Sequence, residues 1–186
     1  MAVQTRNKSG TRDAKQLVAE LTRENKPSSP VVTALNRQVA NGFVLYANYK
    51  QYHWQTYGPL FRDLHKLFDK FAKEVQETID ELAERVRMIG QDPPALNEML
   101  DTATVAMAAP HSTVREMVEE ARTNALIVIE EFRRAARTAD EHDDPGTVDV
   151  CSRFVQIHEK QEWWLRDILR HGDGLTSDKS PAIGDR

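Results

Sequence analysis

The amino-acid sequence predicts an all-α protein: a four-helix bundle with a long crossover between the second and third helices, and a short extra helix within that crossover. Three observations support this prediction. Apolar residues recur every three or four positions in four long segments, which is the pattern of amphipathic helices. No segment shows the alternation of a strand, and no internal repeat is present. The connections between the segments are short, long and short, so one up-down pair of helices precedes the crossover and another follows it.

Proline and glycine delimit the first pair of helices. The first helix is expected over about residues 30–55, because Ser29 and Pro30 suit an N-cap and a first turn. The second helix is expected to begin at Pro59, a residue that suits the first helical position. It should end just before Gly90, because glycine suits the residue that follows a helix.

The crossover and the second pair of helices have equally clear signals. Prolines interrupt residues 91–111, where the segment PALNEML allows one short helix. The third helix should start at Thr113, with Glu116 completing a capping box, and should end in the acidic turn ADEHDDPG. Asp144 and Pro145 then suit the start of the fourth helix. On the apolar face of that helix, a histidine and a cysteine are expected to be core residues: His158 and Cys151.

Composition limits the classes of function. Residues 1–28 and 172–186 are polar, so we expect a flexible basic N-terminal arm and a flexible C-terminal tail on a bundle of residues 29–171. The formal net charge of −4 disfavours binding of nucleic acid by the bundle itself. A single cysteine rules out a disulfide framework and a thiolate zinc cluster. No apolar run suits a membrane span or a secretory signal, so we expect no membrane association and a cytoplasmic location.

Five residues with side chains that suit iron or zinc follow a regular pattern, His-x11-His-x3-Asp-x10-Asp-x3-Glu: His53, His65, Asp69, Asp80 and Glu84. The last four lie on the second helix. Each residue of a helix turns by about 100°, so these four form a second stripe beside the apolar one. Asp69 and Asp80 are eleven residues apart. That separation is roughly 16 Å along a helix, so a metal with bonds of about 2 Å cannot use both.

Two antiparallel copies of the second helix would resolve this conflict. Across a two-fold axis, His65 and Asp69 of one chain would face Asp80 and Glu84 of the other, and the isologous contact would create two identical sites. The sequence therefore predicts a metal site between two subunits. The alternative is a solvated acidic face that pairs with nearby cations: Lys73, Arg85 and Arg87.

The chain contains the His53-Trp54 pair, the element GPLF, His65 with Asp69, the segment IDELAER, and EKQEWWLRDIL in the fourth helix. Together these motifs resemble the Dps family of miniferritins. The resemblance spans about residues 29–171 and implies a ferritin-like four-helix bundle. The chain has no Glu-x-x-His, the motif with which other di-iron bundles hold metal inside a single chain.

The resemblance implies a hollow homododecamer that oxidises Fe(II) at di-iron centres on its two-fold interfaces and stores ferric mineral, protecting DNA from oxidative damage. Hydrogen peroxide is the expected oxidant, ahead of oxygen, and zinc could substitute for iron. One subunit would provide three ligands and its partner two: His53, His65 and Asp69, then Asp80 and Glu84. Trp54 would lie beside the site and quench radicals. Glu84 is the expected bridge between two irons.

The acidic turn before the fourth helix is a candidate lining for a pore through which iron enters. Its carboxylates, repeated around a three-fold axis, would attract cations: Asp140, Asp143, Asp144 and Asp149. The alternative is a solvated turn in which Asp144 caps the helix.

The N-terminal arm is the candidate DNA-binding element. Residues 1–27 carry six basic and three acidic side chains, a net charge of +3. The proposed contacts are the first four cations: Arg6, Lys8, Arg12 and Lys15. Twelve arms would add avidity, and salt would weaken the binding. The alternative is a disordered solubilising arm. Two rival functions stay open: a structural, nucleoid-associated DNA-binding protein whose metal site is zinc-filled or weakly active, and a helical scaffold unrelated to iron.

Overall fold

The structure, a computed structural model, describes residues 29–110 and 113–170. In these ranges it contains five helices and no strand: α1 (Pro30–Gln55), α2 (Phe61–Met88), α3 (Leu96–Thr102), α4 (Val114–Glu141) and α5 (Pro145–Ile168). The pair α1–α2 and the pair α4–α5 each pack along their length, and contacts of α1 with α4 and of α2 with α5 close the bundle. The short helix α3 lies in the crossover and packs on α1. The predicted all-α, four-helix fold is therefore confirmed.

Within the described ranges, no helix has the length and apolarity that a membrane crossing requires. The N-terminal arm with its four candidate DNA contacts, and the C-terminal tail, lie outside the described residues.

The predicted start of α2 was wrong by two residues. Gly58 has a φ of +83°, a left-handed conformation that glycine adopts without strain. Pro59 and Leu60 therefore belong to a turn, and the helical hydrogen bonds begin with the amide of Leu64 donating to the carbonyl of Leu60. The start of α1 follows the prediction at Pro30, but the hydroxyl of Ser29 makes no capping hydrogen bond.

The other helix ends follow their local sequence signals. Gly90 has a φ of +84°. The amide of Gln91 donates to the carbonyl of Val86 at 3.1 Å, and that of Gly90 donates to the carbonyl of Arg87 at 3.0 Å. These two bonds are those of the Schellman motif, in which glycine follows the helix. At α4 the predicted capping box is confirmed by reciprocal bonds between Thr113 and Glu116.

Two asparagines on one face of α1 hold the crossover in place. The side-chain oxygen of Asn41 accepts bonds from the amides of Thr104 and Val105 at 2.7 and 3.2 Å. Asn48 donates to the carbonyl of Ala106 and accepts from the amide of Ala108, both at 2.8 Å. The backbone groups of this irregular segment are thus hydrogen-bonded by asparagine side chains, where an exposed loop would be hydrogen-bonded by water.

A buried polar network crosses the centre of the bundle. Tyr49 donates its hydroxyl proton to the side-chain oxygen of Gln161 at 3.2 Å, and Gln161 donates to Glu74 at 3.1 Å. The Nδ1 of His158 lies 3.2 Å from the same oxygen of Gln161, and its ring stacks on Phe132. The prediction that His158 is a hydrogen-bonded core residue is confirmed, as is the burial of the cysteine at position 151.

This network predicts a specific loss of stability in acid. Burial lowers the pKa of His158 to about 4, although Gln161 and Glu74 oppose the shift. In the unfolded chain this histidine binds its proton near pH 6.5. The contribution of neutral His158 to folding stability is therefore complete above pH 6.5 and is lost as the pH falls toward 4. The loss should approach about 1.4 kcal/mol per pH unit per subunit. Urea unfolding between pH 7 and 4.5 measures it.

The matched variant is His158→Gln, which cannot gain a charge in this range. It should be less stable at pH 7 but should lose less stability between pH 6.5 and 4.5. Equal pH dependence of the two proteins would show that His158 does not control acid stability.

Candidate metal centre

The two predicted histidine ligands meet where α1 ends and α2 begins. The rings of His53 and His65 stack with centroids 3.7 Å apart and planes 21° from parallel. The centroid of the Phe61 ring lies 5.1 Å from that of His65, and the two ring planes are 31° from parallel. Both imidazoles are half-buried, so they are held in place yet reachable from the surface.

Backbone carbonyls fix the tautomer of both histidines. The Nδ1 of His53 lies 2.6 Å from the carbonyl oxygen of His65, and the Nδ1 of His65 lies 2.8 Å from that of His53. A carbonyl only accepts hydrogen bonds, so each Nδ1 carries the proton. Each neutral ring then carries its free lone pair on its own Nε2, and metal-binding histidines commonly donate their other ring N–H to a backbone carbonyl in this way.

Asp69, one turn after His65, forms ion pairs with two lysines. Lys50 of α1 lies 2.8 Å from its Oδ1, and Lys73 lies 2.8 Å from its Oδ2. Hydrogen bonds from Lys50 and then from Lys73 hold the pKa of Asp69 well below its usual range. The carboxylate is therefore ionised and oriented. The sequence reasoning missed Lys50, whose position three residues before His53 puts both on one face of α1.

Asp80 and Glu84 lie one turn apart on the exposed side of α2. Neither forms an ion pair with any residue in the described ranges. The two neighbouring arginines that could have neutralised them pair elsewhere, Arg85 with Asp144 and Arg87 with Asp92. These two carboxylates thus keep their charge available for a ligand from outside the chain.

A single chain does not unite the five residues. Among residues 29–110 and 113–170, no three side chains of His, Cys, Asp or Glu converge as a metal site requires. The structure instead separates two groups, which we call the histidine half-site (His53, His65 and Asp69) and the carboxylate half-site (Asp80 and Glu84). The alternative of a solvated acidic face holds in part, because Lys73 does pair with Asp69.

The two half-sites are symmetric about one point on α2. His65 and Glu84 are equally distant from the midpoint between residues 74 and 75, and so are Asp69 and Asp80. One two-fold axis at that point, with antiparallel helices, would bring both pairs into opposition at once.

Exposed apolar surface flanks both half-sites. Trp54, the neighbour of His53, is 70% exposed. It shares the α1–α2 turn region with further exposed apolar side chains: Tyr57, Leu60 and Phe61. A groove of about 630 Å³ opens beside Asp80, and Phe43, Met99 and two prolines contribute to its walls. Apolar surface of this kind is typical of a protein interface.

The acidic turn offers fewer free carboxylates than the sequence suggested. Asp144 accepts bonds from the amide and hydroxyl of Thr147 at 3.0 and 2.7 Å, and from Arg85 at 2.5 Å, so it acts as the helix cap. Asp149 is exposed but pairs with Arg153 at 3.2 Å. Asp140 and Asp143 are exposed and have no ion-pair partner in the described part of the chain. They are the stronger candidates for a pore lining.

Comparison with known proteins identifies what this architecture resembles. The family model of a ferritin-like domain matches residues 32–175. A relative named DNA protection during starvation protein, from Brevibacillus brevis, is 37% identical over 140 residues, which cover 75% of this chain and 94% of that protein.

Solved structures agree with this match. Dps from Thermosynechococcus elongatus superposes with a TM-score of 0.77 at 44% identity, over 87% of this chain and 99% of that one. The Dps protein of Vibrio cholerae O1, described as a member of a superfamily of ferritin-like diiron-carboxylate proteins, has a TM-score of 0.73 at 28% identity, over 80% and 92% of the two chains. A zinc-soaked Dps of Listeria innocua has a TM-score of 0.71 at 31% identity, over 75% and 95%.

Proposed function

Since the chain belongs to the ferritin-like Dps family, we propose that it oxidises Fe(II) at centres shared between two subunits and stores the ferric product inside a hollow dodecamer. The observation that carries the proposal is the symmetry of the two half-sites about one point of α2. A single two-fold contact would complete both centres at once. The proposed role, protection of DNA from iron-driven oxidation, requires an intracellular location with access to DNA.

The donor set suits iron as the substrate. Imidazole nitrogens and carboxylate oxygens are ligands that iron accepts in di-iron proteins. The paired carbonyl contacts leave the Nε2 of His53 and of His65 free to bind. Glu84, which has no ion pair in the described ranges, is the candidate bridge between two ions. The same donors would accept zinc, which we therefore propose as a substitute for iron.

The proposed reaction is a two-electron oxidation. Two Fe(II) ions each give one electron to hydrogen peroxide, which takes up two protons and becomes two molecules of water. Oxygen is the alternative acceptor. The residues of the chain would hold the two ions close together, and Trp54 beside His53 could intercept a stray radical. Consuming peroxide together with iron would suppress the formation of hydroxyl radicals near DNA.

Burial of exposed apolar surface would stabilise the proposed dimer contact. The exposed side chains of the α1–α2 turn, headed by Trp54, lie at the histidine half-site, and the apolar groove lies at the carboxylate half-site. An antiparallel contact would bring the turn of one subunit toward the groove of the other. Burial of such surface contributes about 25 cal/mol per Å², so the same contact that completes the metal centre would stabilise the dimer.

Removal of a ligand from either half-site should slow Fe(II) oxidation without dissociating the shell. His53→Ala and Glu84→Ala should each reduce the initial rate by about tenfold or more, because even the loss of a group that only hydrogen-bonds to a metal ligand commonly costs that much. Stopped-flow absorbance with peroxide measures the rate, and size-exclusion chromatography checks assembly. Glu159→Ala, an exposed glutamate on α5, is the matched control and should leave the rate unchanged. Natural rates in both half-site variants would contradict the assignment.

Direct DNA binding would depend on the N-terminal arm. Twelve copies of the chain at −4 give the shell a formal charge of −48, which repels phosphate. Residues 1–27 of each chain, in contrast, carry a net charge of +3. We propose that the arms bind DNA together at low salt.

A gel shift tests this proposal with three proteins. The full chain should retard DNA at about 20 mM salt and release it by about 200 mM. Deletion of residues 1–27, or replacement of the four arm cations by Gln, should abolish the shift: Arg6, Lys8, Arg12 and Lys15. An unchanged shift in the Gln variant would show that the arm charge is not the binding determinant, and no shift by the full chain would leave protection to iron chemistry alone.

A further inference from the structure

A glycine in the interior of α1 allows α2 to approach closely. Gly42 is buried. Glycine in a helix interior costs stability relative to alanine, because its backbone loses more freedom on folding. A Cβ atom added to Gly42 would lie 2.6 Å from the Cγ1 atom of Ile79 on α2 and 3.4 Å from its Cδ1 atom. The first of these distances is shorter than side-chain atoms tolerate, so alanine does not fit here unless its surroundings move.

Ile79 cannot yield by a change of its own side chain. The Cγ1 atom is attached directly to Cβ, and a β-branched side chain has one strongly preferred χ1 rotamer in a helix. The residue is also buried, so a rotated side chain would meet the packed core. Extending the 2.6 Å separation to an ordinary contact of 3.4 Å requires α2 to move from α1 by about 0.8 Å at Ile79.

This close contact lies beside the carboxylate half-site. Ile79 directly precedes Asp80, and both residues line the apolar groove. Glu84 follows one turn later on the same helix, so a displacement of Ile79 carries both carboxylates with it. The histidine half-site is farther away, because eleven residues, or roughly 16 Å of helix, separate Gly42 from His53.

We propose that Gly42 is a positioning residue of the metal centre: the gap that it leaves in α1 sets how closely α2 packs, and thereby where Asp80 and Glu84 meet the ligands of the partner subunit. This inference rests on the function proposed above. Metal–ligand distances tolerate deviations of only about 0.2 Å, and a misplacement of about 1 Å can slow a reaction by about a hundredfold. The displacement that alanine would impose is therefore large enough to weaken the centre.

A role in core packing alone makes a different prediction. Gly42→Ala would then lower the stability of the shell but leave its zinc affinity unchanged. If Gly42 positions the carboxylate half-site, fully assembled shells should bind zinc more weakly. The matched control is Ala135→Val, which enlarges a buried side chain of α4, a helix that packs mainly on α1 and α5. It should reduce stability without changing the affinity for zinc.

Isothermal titration of the assembled full-length protein with Zn²⁺ alone tests the inference. Gly42→Ala should weaken zinc binding by about tenfold or more. Ile79→Ala provides the rescue, because only its Cβ atom would remain, 3.9 Å from the added methyl group. The double variant should therefore regain most of the natural affinity, although Ile79→Ala alone should reduce stability by leaving a cavity.

Reassembly with natural chains extends the test to the case in which Gly42→Ala forms no shell alone. Each chain would give its carboxylates to one centre, so the fraction of weakened zinc sites should equal the fraction of variant chains. Natural affinity at every site would overturn the inference, as would a loss that Ile79→Ala does not reverse. If His53→Ala and Glu84→Ala both bind zinc as the natural protein does, it is the proposed metal centre, and not only the role of Gly42, that fails.

Discussion

The length of α2 is the constraint on which the rest of the account depends. An α-helix cannot shorten, so the eleven residues between Asp69 and Asp80 hold the two half-sites roughly 16 Å apart. No side-chain rotation closes that distance within one chain. The placement of both half-sites at equal distances from one point of α2 then relates the metal centre to the subunit contact, because the symmetry that would join two copies also pairs the ligands. Function and assembly become a single hypothesis.

The bundle prepares the histidine half-site before any metal arrives. The short α1–α2 turn brings the carbonyls of His53 and His65 within reach of each other's rings, which fixes both tautomers. In the core, hydrogen bonds of Gln161 with Tyr49 and Glu74 link α5 to α1 and α2. The carboxylate half-site has the opposite character, because it is exposed and lies beside an apolar groove. A preformed half-site and an open one suit a centre that only a second subunit completes.

Local chemistry was predictable from the sequence, and contacts between distant segments were not. Gly90, the Thr113–Glu116 box and the Asp144 cap follow from residues a few positions apart. The predicted start of α2 was wrong because proline suits the turn that follows Gly58 as well as it suits the first position of a helix. Lys50 was missed because its partner lies on another helix, nineteen residues away. The pairing of Asp149 with Arg153 has a local signal, the i,i+4 spacing of opposite charges on one helix.

Complementation between subunits tests the central claim most directly. One variant loses most of the histidine half-site (His65→Ala with Asp69→Ala), and the other loses the carboxylate half-site (Asp80→Ala with Glu84→Ala). Each should be inactive alone. After dissociation and random reassembly of an equal mixture, half of the dimers would be mixed and each would carry one intact centre, so the rate of Fe(II) oxidation should recover to about one quarter of the natural value. Mixed shells that remain as inactive as either parent would contradict a centre shared between subunits.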